Sequence, residues 1–281
     1  MIETETSETH QGTILVDIDQ GIASVIINHP SKLNAFTSTM CHSLISYLQA
    51  LDSDPNVRVI ALQGAGGNFS AGADITNVEQ LLFSGSNSDS NGIDLLSAVD
   101  ESITNVQKPI FSFVQGICMG GGWQIASAAD AIIASSDTRL AITPSKLGII
   151  YPRAGLERLK RYVGESRANY LLMTAKEITI EKAEAWNLVA ETVDASIFEK
   201  YRNRLLRSVA SRSQFSIFAM KKLMQLEGTT HYCDAWEKLW SAVQTNEDFV
   251  EGRSAFMETR PPEFDWNINN GSRLLSRTTE V

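Results

Sequence analysis

The chain reads Gln115-Gly116-Ile117-Cys118-Met119-Gly120-Gly121-Gly122-Trp123-Gln124, a stretch in which three consecutive glycines lead from an apolar, strand-like segment into a helix-like one. A helix that begins on glycine presents bare backbone N–H groups, with the positive end of the helix macrodipole behind them. Such groups donate hydrogen bonds to an anionic oxygen at a close distance that a side chain would prevent. The stretch therefore predicts a strand, an anion-binding turn and a helix.

Composition limits the classes of protein to consider. The 281 residues are 43% hydrophobic and 20% charged, which is typical of an ordinary globular protein with one large core. The formal net charge of −9 argues against general binding to nucleic acid or anionic membranes. Three widely spaced cysteines without a CxxC motif favour a reducing compartment and no structural zinc. Because the sequence also lacks a signal-peptide pattern and an 18-residue apolar run, we expect a cytoplasmic protein without a membrane span.

Short apolar segments alternate with helical patterns through the first half of the chain. Strands are predicted at 13–18, 22–28, 57–63, 109–114, 131–135 and 140–143, with a further short one around 188–193. Strands that alternate with helices indicate an α/β domain. From about Ala154 onward helices dominate. In the last long helix Trp236, Leu239, Trp240 and Val243 form one apolar stripe, which serves equally well as core or as a subunit contact.

A second glycine-bearing turn, Asn68–Ile75, also follows a predicted strand. Residues 64–69 fail the GxGxxG pattern at its last position, no Walker A lysine follows either turn, and Asn68 stands where a nucleophile elbow around Ser70 needs glycine. Each turn alone is explained by tight packing of a strand against a helix. Two turns rich in N–H groups in one domain also fit a pair of donors that converge on a thioester oxygen.

Five segments, in this order, resemble the crotonase superfamily, the enoyl-CoA hydratase/isomerase family. They are Asn28–Ala35, Phe69–Ile75, Gly116–Gln124 with Ala128–Asp130, Leu147–Gly148 with its flanks, and Glu247–Phe256. The resemblance extends from about Gly12 to Phe264. It implies an α/β fold, a crotonase-like spiral of ββα units over 12–200, and a helical trimerisation region over 201–266. Residues 1–11 and 267–281 are then expected to be disordered tails.

The resemblance also implies a coenzyme A thioester as substrate, no permanently bound cofactor and no metal. The thioester oxygen would be held by the backbone N–H groups of Ala73 and Gly121. The residues expected to bind the substrate are Lys32, Leu33, Ala71, Asp74 and Ile75 along the CoA path, Trp123 at the acyl pocket, and Arg260 at a nucleotide phosphate. For Asp74 a helix cap is the favoured role over catalysis. The implied assembly is a homotrimer or a dimer of trimers.

Departures from the family pattern decide the expected chemistry. Hydratases of this family carry a glutamate after the glycine turn and another about twenty residues later, but this chain has Gln124 and Pro144 there. Neither side chain acts as a general base. The segment Ile142–Pro152 instead resembles the methylmalonyl-CoA decarboxylase branch, with Tyr151 matching its tyrosine.

Decarboxylation of a carboxyacyl-CoA is therefore the leading hypothesis, with Gln124 as a hydrogen-bond partner and Tyr151 either orienting the carboxylate or later donating a proton. The chain departs from that branch at Ala73, where the branch has histidine. Hydration or isomerisation by unconventional acid and base groups, or a catalytically silent acyl-CoA-binding protein, are the alternatives. The alternative role for Tyr151 is to line the wall of the pocket without taking part in catalysis.

Overall fold

A six-stranded sheet forms the centre of the computed structural model, which describes residues 12–83 and 94–268. The strands are β1 (Thr13–Asp19), β2 (Ile22–Asn28), β3 (Val59–Gly64), β4 (Ile110–Val114), β5 (Ile117–Met119), β6 (Ala131–Ser135), β7 (Arg139–Ala141) and β8 (Glu191–Val193). The sheet order is β1-β2-β3-β4-β6-β8, antiparallel between β1 and β2 and parallel elsewhere. The short strands β5 and β7 pair in parallel as a second sheet. The predicted α/β class is confirmed.

Helices follow the strands and fill the C-terminal third. Those in the described ranges are α1 (Ser38–Ser53), α2 (Val78–Phe83), α3 (Leu95–Asn105), α4 (Gly121–Ala128), α5 (Arg153–Thr174), α6 (Ile180–Ala185), α7 (Phe198–Ala210), α8 (Gln214–Leu226), α9 (Tyr232–Val243) and α10 (Glu247–Met257). Helix α5 is broken at Gly164, whose φ of 75° is not helical. None of these helices is both long and apolar enough to cross a bilayer.

The two faces of the sheet bury different helices because successive strand residues point to opposite sides. Ile60 and Leu62 of β3 belong to the large core with α1, α3 and α4, whereas Val59 and Ala61 pack with α7. Both faces are thus covered, as parallel sheets require. The connections that carry the candidate site emerge on the α4 side, after β3 and after β5.

Two residues of the predicted disordered tail instead pack on the domain. Ile268 is 9% exposed and joins a small apolar cluster with Phe218 and Leu239. The Asn267 side chain donates a hydrogen bond to Pro55 O at 3.2 Å. Residues 1–11 and 269–281 lie outside the described residues, as do positions 84–93. The polar, glycine-bearing composition of residues 83–92 predicts a loop, and all but the first of these residues fall in that gap.

Candidate active site

The turn after β3 is held between two neighbouring segments of backbone. Ser70 pairs with β5, since Ser70 N donates to Ile117 O and Met119 N donates to Ser70 O, at 2.9 and 3.0 Å. On its other side Phe36 N donates to Gly72 O at 2.7 Å and Asp74 N donates to Phe36 O at 2.9 Å. These bonds fix the backbone on both sides of Ala73 and bring the first glycine turn against the second.

Each of the three glycines that open α4 meets a different constraint. Gly120 has φ 52° and ψ −115°, a backbone conformation that favours glycine over residues with a Cβ. A Cβ at Gly121 would lie 2.8 Å from Leu96 Cδ1. A Cβ at Gly122 would lie 2.3 Å from Ser70 O, so the helix approaches the first turn more closely than any side chain permits.

The N–H groups of Ala73 and Gly121 lie close together. A Cβ at Gly121 would be 3.5 Å from Ala73 N, and a Cβ at Gly72 would be 3.0 Å from Gly121 N. Neither N–H donates a hydrogen bond to any residue that the structure describes. Two unpaired backbone donors therefore neighbour each other at the N-terminus of α4, where the helix macrodipole adds positive potential.

Asn34 and Ser70 support this arrangement, a role that was not predicted from the sequence. The Asn34 side chain accepts from His29 N and donates to Ala65 O and Asn68 O at 2.8 and 2.6 Å. The Ser70 hydroxyl donates to Asn34 O at 2.8 Å and accepts from Gly72 N at 3.0 Å. Both residues fall inside segments that carry the family resemblance, which was the available signal.

Two of the predicted CoA-path residues, Lys32 and Asp74, form a polar contact beside the first turn. Lys32 Nζ donates to Asp74 Oδ2 at 2.7 Å, and Asp74 caps the 3-10 turn Ile75–Asn77 by accepting from Thr76 N. Burial acts to raise the pKa of the Asp74 carboxyl, but the hydrogen bonds from Lys32 and Thr76 outweigh it and lower the pKa. The predicted cap is confirmed.

The other predicted CoA-path residues flank that contact. Ala71 N donates to Leu33 O at 2.9 Å, which ties the two segments together. Leu33 and Ile75 are 41% and 66% exposed, so an apolar surface borders the first turn.

Gln124 and Trp123 occupy the first turn of α4 and are buried with unpaired polar atoms. Gln124 is 1% exposed, and neither its amide oxygen nor its amide nitrogen has a hydrogen-bond partner among the described residues. Trp123 packs edge-to-face on Tyr162, with 6.5 Å between ring centroids, and its Nε1 is likewise unpaired there. Helical side chains lean toward the N-terminus, which directs Gln124 toward the glycine turn. The other expected acid position, Pro144, begins a 3-10 turn.

Tyr151 reaches the glycine turn from the segment before α5. Its hydroxyl donates to Gly120 O at 3.3 Å, and the residue is 5% exposed. Burial, and then the negative charge of Asp100, raise the pKa of Tyr151 well above its ordinary value. The phenol is therefore a protonated hydrogen-bond donor at neutral pH. The structure thus places the Tyr151 hydroxyl at the Gly120 carbonyl, at the start of the glycine turn.

Arg260 makes none of its contacts with this group of residues. Its guanidinium pairs with Glu251 at 2.5 and 2.8 Å and with Glu258 at 2.7 Å, all near the end of α10. These hydrogen bonds raise the pKa of Arg260 and lower that of Glu251 to about 2. The charge predicted to meet a CoA phosphate is thus already paired within the chain.

Comparison with known proteins places this geometry in a family. The family model described as enoyl-CoA hydratase/isomerase matches residues 17–267. The chain belongs to the enoyl-CoA hydratase/isomerase family. A crystal structure of a member of this family has a TM-score of 0.88 and 42% identity to the chain, and the match covers 92% of this chain and 99% of that one. The resemblance to the crotonase superfamily is therefore confirmed, and the α/β architecture is the crotonase fold.

The names of relatives in the enoyl-CoA hydratase/isomerase family state different activities. Methylmalonyl-CoA decarboxylase of Escherichia coli (strain K12) is 30% identical over 250 residues, covering 86% of this chain and 94% of that protein. Probable enoyl-CoA hydratase echA8 of Mycobacterium leprae (strain TN) is 29% identical over 259 residues, covering 90% and 97%. The chain is thus a crotonase-family enzyme of acyl-CoA thioesters, in a family whose reactions diverge.

Proposed function

We propose that the enzyme forms a thioester enolate whose oxygen is held by the N–H groups of Ala73 and Gly121. The observation that carries this proposal is the pair of neighbouring, unpaired donors at the start of α4. Preorganised donors at a developing oxyanion contribute roughly 3–4 kcal/mol each to transition-state stabilisation. The chemistry therefore needs no metal to stabilise the enolate.

The proposed substrate enters along the first turn. Lys32, Leu33, Ala71, Asp74 and Ile75 would line the path of the CoA portion, where exposed apolar side chains adjoin one lysine. Trp123 would close the acyl pocket with its buried ring. Both cations are paired with carboxylates, Lys32 with Asp74 and Arg260 with Glu251 and Glu258. Because only Lys32 makes its contact beside the first turn, it is the better supported contact for a CoA phosphate.

Decarboxylation of a carboxyacyl-CoA is the reaction that these residues support best. In this step the bond between Cα and the carboxylate carbon breaks, its electron pair forms the enolate, and CO₂ leaves. No base is required, which suits a site with Gln124 and Pro144 at the two usual acid positions. Water then donates a proton to Cα and leaves as hydroxide. Tyr151 does not supply this proton, because its raised pKa makes the phenol a weak acid; its hydroxyl instead orients the carboxylate by a hydrogen bond. The similarity to methylmalonyl-CoA decarboxylase adds support.

Incubation with two thioesters tests this proposal. Methylmalonyl-CoA should be converted to propionyl-CoA and CO₂, while crotonyl-CoA should stay unchanged, with products followed by chromatography and mass spectrometry. Conversion of crotonyl-CoA to a hydroxyacyl-CoA would instead support hydration, which the names of other relatives favour. Binding of both esters without turnover of either would contradict both enzymatic hypotheses for these substrates and support an acyl-CoA-binding role.

Tyr151→Phe tests the role of the phenol in the same assay. We expect roughly 100-fold slower decarboxylation with nearly unchanged ester binding, since the orienting hydroxyl is lost while the ring remains. Tyr170→Phe, at a 39% exposed tyrosine of α5, is the matched control. An unchanged rate for Tyr151→Phe would remove this residue from the mechanism.

The proposed assembly is a homotrimer or a dimer of trimers. Its support is a set of exposed apolar side chains on α8, α9 and α10, namely Met220, Met224, Trp236, Trp240, Phe249 and Phe256. Trp236 and Trp240 stack with 5.6 Å between ring centroids and an interplanar angle of 9°, and are 43% and 62% exposed. We also propose a cytoplasmic location, which suits three cysteines that are all unpaired.

A further inference from the structure

Asp100 of α3 and Arg158 of α5 form a buried ion pair that the proposed reaction leaves unused. Arg158 Nη1 and Nη2 donate to the two carboxylate oxygens of Asp100 at 2.7 and 2.6 Å. Asp100 is 1% exposed and Arg158 is 8% exposed. Arg158 also lies 3.4 Å from both Ser127 Oγ and Thr104 Oγ1. The guanidinium thus makes a bidentate contact and touches α3 and α4 at once.

Stability alone does not account for such a pair. Transfer of two charges out of water is unfavourable, and apolar residues of similar volume are often at least as stable in the same place. A planar fork of donors on a carboxylate does, however, fix the relative orientation of the elements that carry it. The main effect of the pair is therefore to fix the relative orientation of the helices that carry Asp100 and Arg158.

Two of the joined helices carry site groups close to the pair. On α3, Leu96 lies one turn before Asp100, and its Cδ1 would be 2.8 Å from a Cβ at Gly121. On α4, the Ser127 hydroxyl near Arg158 donates to Gln124 O at 3.0 Å. A shift of either helix would move the first turn of α4.

The third helix carries the support for Tyr151. The Tyr151 ring packs on Gly155, where a Cβ would lie 2.7 Å from Tyr151 Cε1, and Gly155 is one turn before Arg158 on α5. Burial and the negative charge of Asp100 raise the pKa of Tyr151, while the positive charge of Arg158 opposes that rise. The ion pair thus lies one helical turn from the residue on which the Tyr151 ring packs, and both of its charges act on the phenol.

We propose that the Asp100–Arg158 pair is a positioning device that holds Tyr151 and the first turn of α4 in register at the acyl end of the site. The part of the proposal that concerns turnover rests on the proposed thioester reaction. The part that concerns the placement of Tyr151 does not. Both residues are positioning residues, since the groups that they hold make the contacts to substrate.

The double variant Asp100→Leu/Arg158→Met tests this proposal, because it removes both charges and leaves no unpaired ion. We expect a folded protein whose affinity for crotonyl-CoA changes less than threefold. For the thioester that the wild type converts, kcat should fall on the order of 100-fold with little change in KM, as expected for misplaced groups. Retention of the wild-type kcat would overturn the proposal.

Fluorine NMR of protein labelled with 3-fluorotyrosine gives a readout independent of activity. The chain has six tyrosines, and Tyr151→Phe identifies the Tyr151 resonance. This resonance should shift or broaden in the double variant. The control is Arg153→Met/Glu157→Leu, which removes an ion pair 90% and 65% exposed on the same helix and should leave kcat and the resonance unchanged.

Failure of the proposed reaction is distinguishable from failure of this inference. If the wild type converts neither methylmalonyl-CoA nor crotonyl-CoA, the fluorine spectrum alone decides, and an unchanged Tyr151 resonance overturns the positioning role. If the double variant does not fold, Arg158→Lys replaces it, since it retains the charge but not the fork. We then expect a shifted resonance and about tenfold lower kcat, and wild-type values for both would overturn the proposal.

Discussion

Gly121 and Gly122 are adjacent, yet a methyl group at each meets a very different neighbour. At Gly121 it meets Leu96 Cδ1, the mobile end of a side chain, and at Gly122 it meets Ser70 O, a fixed backbone atom at 2.3 Å. We therefore expect Gly121→Ala to fold and lose roughly 100-fold in turnover, because the methyl crowds the bound oxygen. Gly122→Ala should lose about 3 kcal/mol or more of stability.

Thermal unfolding and steady-state kinetics of the two variants check this difference. A control for glycine replacement in a helix is Gly252→Ala, where the nearest atom would be Phe264 Cε1 at 3.4 Å. That variant should keep wild-type turnover. Wild-type turnover by Gly121→Ala would contradict an oxyanion site at this turn.

The buried Gln124 side chain is expected to lower the stability of the fold while it contributes to turnover. Its buried amide has two unpaired polar atoms within the described part of the chain, and each such atom is unfavourable by about 1–3 kcal/mol. Gln124→Met keeps the unbranched shape and removes both atoms. We expect unchanged stability or a gain of about 1 kcal/mol, with at least tenfold slower turnover, measured by urea denaturation and the thioester assay.

The same substitution at a satisfied glutamine is the matched control. Gln214 is also buried, but its Nε2 donates to Arg212 O at 3.1 Å and to Val209 O at 3.4 Å. Gln214→Met should therefore lower stability by about 1 kcal/mol or more. Equal losses of stability for the two variants would show that Gln124 has a structural partner after all.

At the residue scale, the sequence predicted the glycine turn correctly, because the three glycines do open a helix. The roles of Tyr151 and Gln124, and the consequence of Pro144 at an acid position, stay predictions. Asn34 and Asp100 were missed for a physical reason. The role of each depends on atoms far along the chain, such as Asn68 O for Asn34 and the Arg158 guanidinium for Asp100, and no local pattern records those distances.

At the scale of elements, a buried lysine from the segment before β4 contacts the C-terminus of α1. Lys108 is 2% exposed and its Nζ donates to Leu51 O and Asp54 O at 2.6 and 2.5 Å. Burial lowers the pKa of Lys108 from 10.5 to about 8, although the charges of Asp52 and Asp54 oppose the shift. The ammonium group thus satisfies the last carbonyls of the helix but is held in an unfavourable environment.

The lowered pKa gives a signed prediction for stability against pH. Between about pH 8 and 10.5 the unfolded chain keeps the Lys108 proton and the folded chain releases it, so stability rises with pH. The contribution approaches about 3 kcal/mol at its maximum. In urea denaturation with reductant, the free energy of unfolding of the wild type minus that of Lys108→Met should therefore become more positive from pH 7.5 to 10. Lys176→Met, at an exposed lysine, should show no such increase.

Element prediction succeeded where strands were long enough to show their pattern. Strands β1, β2, β4 and β6 lie within one or two residues of their predicted bounds. Strand β5 confirms the strand predicted to lead into the glycine turn, although its three residues are too few to show alternation. Its partner β7 ends at Ala141, before the predicted end at 143, since Thr143 and Pro144 leave the ladder for a 3-10 turn.

At the scale of the whole molecule, Arg58 joins the sheet to the C-terminal helices. From the start of β3, its guanidinium donates to Ala210 O at 2.6 Å, Arg212 O at 3.2 Å and Phe264 O at 3.1 Å. Three backbone carbonyls at the end of α7 and after α10 are thereby fixed to the core. The exposed apolar side chains of the helices that follow α7 therefore lie on a surface that Arg58 connects to the central sheet.

That surface leads to a prediction about assembly. The stripe seen in the sequence divides in the structure, with Leu239 at 2% exposure facing the core and Trp240 at 62% facing outward. Trp240→Glu places a charge where a trimer contact would bury an aromatic ring, so the mass from sedimentation velocity should fall from about three or six times the chain mass to lighter species. Tyr47→Glu, at a 41% exposed aromatic residue of α1, should not change the mass. A Trp240→Glu protein that sediments like the wild type would exclude this face as the trimer contact.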